Sequence, residues 1–168
     1  NQSFCIFMNH QAADNVSYNT LNSGAVGAGV NTTQLYGIYK QYSTGAPTGT
    51  FTSTISYNTI TIESYISTSS FFCIASTGLP ALPGATINIT NNSLLNSISA
   101  GSLNSFLGIF NSSSPGTLNI NDNIIRGVTA TTDGQFGGIL NNGSVVNSVN
   151  INNNKIGDAV AGAVTYTV

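Results

Sequence analysis

Few side chains in this sequence can do chemistry. There are five carboxylates (Asp14, Glu63, Asp122, Asp133 and Asp158), three cationic groups (Lys40, Arg126 and Lys155), one histidine (His10) and two cysteines (Cys5 and Cys73). Bond cleavage by an acid–base pair, or with the help of calcium, needs carboxylates gathered in one place, usually beside a Lys or Arg. Here they are scattered along the chain. His10 has Asp14 four residues on, in a chain rich in serine. A Ser-His-Asp set assembles across a fold, so spacing alone does not decide it, but nothing else supports one, and a lone histidine reads as a surface or capping residue. One histidine and two distant cysteines make no metal-ligand cluster. "GAVGAG" (24–29) has neither the order of a dinucleotide loop nor a following lysine to hold phosphate, and the glycines lack the regularly spaced Asp of a calcium-binding β-roll. No catalytic residue, metal site or cofactor is therefore expected, and the chain is read as not being an enzyme.

The elements that would have to position any such group repeat. Five segments align without a gap: "NVSYNTL" (15–21), "TISYNTI" (54–60), "NITNNSL" (88–94), "NINDNII" (119–125) and "NINNNKI" (150–156). Their fifth position is always asparagine, at Asn19, Asn58, Asn92, Asn123 and Asn154, with spacings of 39, 34, 31 and 31 residues. The second position is β-branched and apolar (Val16, Ile55, Ile89, Ile120, Ile151), and the seventh is Leu or Ile (Leu21, Ile60, Leu94, Ile125, Ile156). Two columns between them are polar throughout: Asn15, Thr54, Asn88, Asn119 and Asn150, then Ser17, Ser56, Thr90, Asn121 and Asn152. Strict alternation of this kind is the signature of a half-buried strand.

A second motif recurs between the first: "FCIF" (4–7), "YGIY" (36–39), "FCIA" (72–75), "LGIF" (107–110), "GGIL" (137–140) and, more weakly, "AGAV" (161–164). Its second position is small throughout (Cys5, Gly37, Cys73, Gly108, Gly138, Gly162), which implies crowding there. One such repeat cannot bury its apolar columns alone, whereas stacked repeats can. With equivalent strands about 4.8 Å apart, the chain becomes an all-β solenoid of about five coils of 31 to 39 residues, a parallel β-helix occupying 1–168 as a single module. No apolar spacing of the helical kind competes with it.

The asparagine column is expected to turn the corner between two sheets, because Asn tolerates φ > 0 better than most residues. Stacked amides also hydrogen-bond along such a column. Cys5 and Cys73 fall in one column two coils apart, about 9–10 Å, beyond disulfide reach, so two buried free thiols are expected. Arg126 and Asp158 fall close enough in register to pair across adjacent coils.

These rungs resemble the right-handed parallel β-helix repeats of the pectate-lyase-like superfamily, and look most like repeat regions of large secreted surface proteins from Bacteroidetes-type bacteria. The resemblance implies the fold over nearly the whole chain, and it raises a polysaccharide lyase or hydrolase as the enzymatic alternative. It specifies architecture far better than activity.

Charged residues make up 5% of the chain, against roughly 25% in ordinary soluble domains. No basic block is present to neutralise phosphates, so nucleic acid is not an expected partner. No apolar run approaches the roughly 18 residues of a membrane span. Abundant Asn, Gly, Ser and Thr fit a secreted or surface protein, and a start at Asn1 fits a removed leader or an excised segment. Seven N-x-Ser/Thr sequons occur, at Asn1, Asn15, Asn31, Asn88, Asn91, Asn111 and Asn142; Asn31, Asn111 and Asn142, in loop-like sequence, are the candidates for glycosylation.

The expectation is a non-catalytic stalk, adhesin or filament segment. Its partners would be further β-helix coils of the same chain or end-to-end copies, since both ends look uncapped. The two polar columns are its candidate contact face, glycans being the alternative ligand. Ice binding is disfavoured, because the column after the ladder (Thr20, Thr59, Ser93, Ile124, Lys155) loses its threonines.

Overall fold

The computed structural model describes residues 2–22, 34–42, 47–64, 70–100, 105–131, 134–157 and 164–167. Every described element is a strand, and every strand pair is parallel. The first sheet stacks Gln2–Asn9, Gln34–Gln41, Phe71–Thr77, Phe106–Asn111 and Phe136–Asn141. The second stacks Asn15–Ser17, Phe51–Ser56, Leu82–Thr90, Pro115–Asn121 and Ser148–Asn152. The third stacks Thr20–Asn22, Thr59–Thr61, Ser93–Leu95, Ile124–Arg126 and Lys155–Ile156, and the fourth Glu63–Ser64, Ile98–Ala100, Val128–Thr131 and Val164–Thr167. The chain visits them in rotation, which makes a parallel β-solenoid. No described helix is long and apolar enough to cross a membrane.

Five strands in a column are separated by four turns, so the solenoid makes about four turns rather than the five coils expected. The register within the second and third sheets is the one the motif dictates: Asn15, Thr54, Asn88, Asn119 and Asn150 pair in series, as do Leu21, Ile60, Leu94, Ile125 and Ile156. "AGAV" is not a sixth copy of the second motif. Val164 pairs with Val128 in the fourth sheet, and 161–163 lie outside the described residues.

The small position of the second motif has a geometric cause. In all four strand pairs of the first sheet the pairing passes from Phe4, Tyr36, Phe72, Leu107 and Gly137 to Ile6, Ile38, Ile74, Ile109 and Ile139, skipping the residue between. That residue and the isoleucine after it both face the core, so the first must be small. A Cβ on Gly108 would meet the Gly138 carbonyl oxygen at 2.6 Å and Ile125 Cδ1 at 2.9 Å.

The core runs along the solenoid axis, with Ile38, Ile55, Ile60, Ile74, Ile89, Leu94, Ile109, Ile120 and Ile125 all fully buried. Burial of each such side chain is worth about 1.5–3 kcal/mol. The same columns open towards the last coil, where Val149, Ile151 and Ile156 are 44%, 44% and 51% exposed. In the first coil Ile6, Val16 and Leu21 are only partly buried. A second apolar cluster lies on the opposite face of the first sheet, where Tyr36, Tyr39 and Phe72 form a run of stacked rings with Phe4 and Phe7, and Phe110 lies tilted against Phe72.

Candidate functional site

The asparagine ladder is a closed network inside the corner between the second and third sheets. Asn92 is representative. Its Nδ2 donates to the Ile55 carbonyl at 2.9 Å and to Asn123 Oδ1 at 3.0 Å, while its own Oδ1 accepts from Asn58 N and Nδ2, both at 3.0 Å. The pattern runs from Asn19 through Asn58, Asn92 and Asn123 to Asn154. Each amide also reaches the carbonyl of the apolar second-column residue one coil back, at Val16, Ile55, Ile89 and Ile120. Buried amides so satisfied cost little to bury and fix one register.

The ladder asparagines do not themselves take the left-handed backbone expected of them. That conformation falls one residue earlier, at Tyr18 (φ 61°), Tyr57 (φ 56°), Asn91 (φ 56°), Asp122 (φ 59°) and Asn153 (φ 56°). The left-handed residue turns the chain, and the next residue, back in line, aims its amide inward. Asn and Asp suit the turning position, whereas Tyr18 and Tyr57 occupy it against side-chain preference.

Those two tyrosines are exposed, by 78% and 50%, and their rings stack at 4.9 Å with planes 1° apart. They adjoin the polar face of the second sheet. On that face Asn150 Nδ2 donates to Asn119 Oδ1, and Asn119 Nδ2 to Asn88 Oδ1, both at 2.8 Å. Asn152 N donates to Asn121 Oδ1, and the hydroxyls of Ser17 and Ser56 meet at 2.8 Å. Asn15 accepts a hydrogen bond from Ser17, and Thr54 and Thr90 continue the two columns. Ser56 departs from the expected contact face: it is buried, because its short side chain, bonded to Ser17, does not reach past its neighbours. The result is an uncharged strip of amides and hydroxyls beside an aromatic pair, the donor, acceptor and stacking set that suits a sugar ring.

At the corner between the first and second sheets a different interior column runs Met8, Lys40, Ser76, Asn111, Asn141. Asn111 Nδ2 donates to Asn141 Oδ1 at 2.8 Å and to the Ser113 carbonyl at 2.9 Å. Asn111 is therefore fully buried, and the expectation of a glycan there is corrected: its amide is spent inside. Asn142 is exposed, and Asn31 lies outside the described residues. In the second coil this column holds Lys40, whose Nζ contacts Asp14 Oδ2 and donates to the Gln11 carbonyl at 3.0 Å. Ser53 donates to the other oxygen, Asp14 Oδ1. No repeated residue marks this group in the sequence. Extending the second motif by one residue, to the column of Lys40, would have placed a lysine facing inward.

Asp122 and Arg126 are exposed, while Asp133 and Asp158 lie outside the described residues, so the expected Arg126–Asp158 pair does too, as does "GAVGAG". Among the described residues no three His, Cys, Asp or Glu side chains are grouped to hold a metal ion. Cys5 and Cys73 are both free. Cys73 is buried, and burial pushes its thiol up to about 12, with a counteracting contact from Ser97 Oγ. Cys5, expected to be buried, is exposed because it sits in the first coil, where the column is covered from one side only.

Comparison with known proteins returns no match: no family model, curated protein or solved structure is significantly similar to this chain.

Proposed function

We propose that this chain is a non-catalytic structural module of a secreted or surface-attached bacterial protein, a segment of stalk, adhesin or filament. The observation that carries the reading is how the repeated residues are used. The repeated columns of the motif are spent on joining one coil to the next: apolar columns on the core, Asn19 to Asn154 on the interior ladder, Asn88 to Asn150 on an exterior one. Resemblance to repeat regions of large bacterial surface proteins points the same way. In this reading Val149, Ile151 and Ile156, apolar and exposed at the last coil, are covered by a further coil or by a second copy of the chain.

The test is sedimentation and negative-stain electron microscopy of the purified chain. End-to-end growth with concentration is expected, and it is lost in the Ile151→Lys/Ile156→Lys variant. Polysaccharide cleavage by the wild type that disappears in Asp122→Asn or Asp133→Asn would overturn the reading.

A second reading, a glycan-binding module, is favoured by the Tyr18–Tyr57 pair beside the polar strip. A non-assembling chain whose binding on a glycan array falls at least about tenfold in Tyr57→Ala, the loss of one stacked ring, would replace the first reading by the second.

A further inference from the structure

We propose that Lys40 and Asp14 are joined by an intramolecular amide bond, formed by the chain itself, that fastens the first coil to the second. The proposal stands whether or not the stalk reading does.

Lys40 side chain is 0% exposed and that of Asp14 11%. Among the described residues Lys40 is the one buried side chain that carries a formal charge. An ion pair in such a place is held at a cost, since the desolvation of both charges opposes their attraction. The same burial lowers the Lys40 pKa, with the Asp14 hydrogen bond and charge opposing the shift, and so favours a neutral, nucleophilic amine.

Geometry supplies the rest. Nζ touches Asp14 Oδ2, one bond from the carboxyl carbon, and is held there by the Gln11 carbonyl at 3.0 Å and by the Tyr42 ring, 4.6 Å from Nζ to the centroid. Two reactants fixed in contact, with most water excluded, gain the advantage of an intramolecular reaction. Ser53 Oγ, itself fully buried, donates to Oδ1, the oxygen that takes up negative charge as the carbon is attacked. The Tyr42 hydroxyl is buried beside Ser53, with the Asp14 charge close enough to act on it. Burial raises the pKa of that hydroxyl and keeps it protonated.

The step balances without any co-reactant. A proton passes from the Lys40 ammonium to Asp14 Oδ2, giving amine and carboxylic acid. The nitrogen lone pair attacks Cγ, the Nζ–Cγ bond forms, and the Cγ–Oδ2 bond breaks. Oδ2 departs as water with the proton already transferred and a second one shed by the nitrogen. The amide keeps one N–H, directed at the Gln11 carbonyl, and its oxygen keeps the Ser53 hydrogen bond.

The consequence is mechanical. Asp14 follows the first strand of the first coil, and Lys40 lies in the first strand of the second. The bond would close the chain between them, tying down the coil whose Ile6, Val16 and Leu21 are only partly buried.

The test is the intact mass of the folded, purified full chain measured after denaturation, followed by fragmentation of its proteolytic peptides. The expected result is a chain one water lighter than its sequence, with a branched peptide joining Asp14 to Lys40. Lys40→Arg keeps the charge without the nucleophile, and Lys40→Met uses the side chain that Met8 already places in this column; both should have the full sequence mass. A wild-type chain at full mass overturns the proposal. So does loss of one water in either variant, since the loss then lies elsewhere.

Discussion

The corner between the second and third sheets and the corner between the first and second face the same problem, that of leaving one strand and entering the next without stranding polar groups in the core. The first answers it identically in every coil. Each ladder asparagine hands its donors and acceptors to the coils on either side, so the residue at one rung constrains the residue at the next. The second corner answers coil by coil. Asn111 and Asn141 bond each other, Ser76 bonds Ser113 at 3.2 Å, and Lys40 turns to Gln11 and Asp14. Because these bonds differ from coil to coil and form no continuous chain of amides, the column is free to diverge, and divergence is what admits a buried lysine. A uniform ladder stores stability, whereas a mixed one has room for chemistry.

Substitutions can break or sharpen this contrast, and chemical denaturation measures each one. The largest effect is expected at the mixed corner: Lys40→Met removes the cross-link and also leaves the Asp14 carboxylate without its partner, at a cost of at least about 3–5 kcal/mol, while Lys40→Met/Asp14→Asn recovers only the part of that loss due to the stranded carboxylate. Next, Asn111→Ala strands the Ser113 backbone N–H and carbonyl and takes from Asn141 Oδ1 one of its two donors, at about 2–3 kcal/mol. At the turning position of the regular corner, Asp122→Val forces a β-branched residue into a left-handed backbone and costs about 1–2 kcal/mol. Asp122→Gly, which relieves the backbone, should stay within about 0.5 kcal/mol.

The two corners also differ in how far they could be read from sequence. Five seven-residue rungs with Asn always at the fifth position make the register of the second and third sheets legible residue by residue, because a two-residue period and an unvarying Asn leave no other alignment. The turning residue was placed one position late for a compositional reason. Asn91–Asn92, Asp122–Asn123 and Asn153–Asn154 put turn-forming side chains at both positions, so residue type alone could not say which one turns and which one bonds. The mixed column carries no repeated residue, and no pattern announces it. That is why Asn111 read as a loop asparagine open to glycosylation and why the meeting of Asp14 with Lys40 went unseen. The exposure of Cys5 reflects its place in the first coil, a property of stacking order and not of residue type.

The ladder itself is tested most directly by the denaturation midpoints of two single variants in the same coil. Asn92→Val removes an interior amide that bonds Asn58, Ile55 and Asn123. Asn88→Thr changes an exterior amide to the residue that Thr54 already supplies in that column. The interior change should cost at least about 3 kcal/mol and the exterior one less than about 0.5 kcal/mol. Equal losses in the two variants would contradict an interior ladder that holds the coils in register.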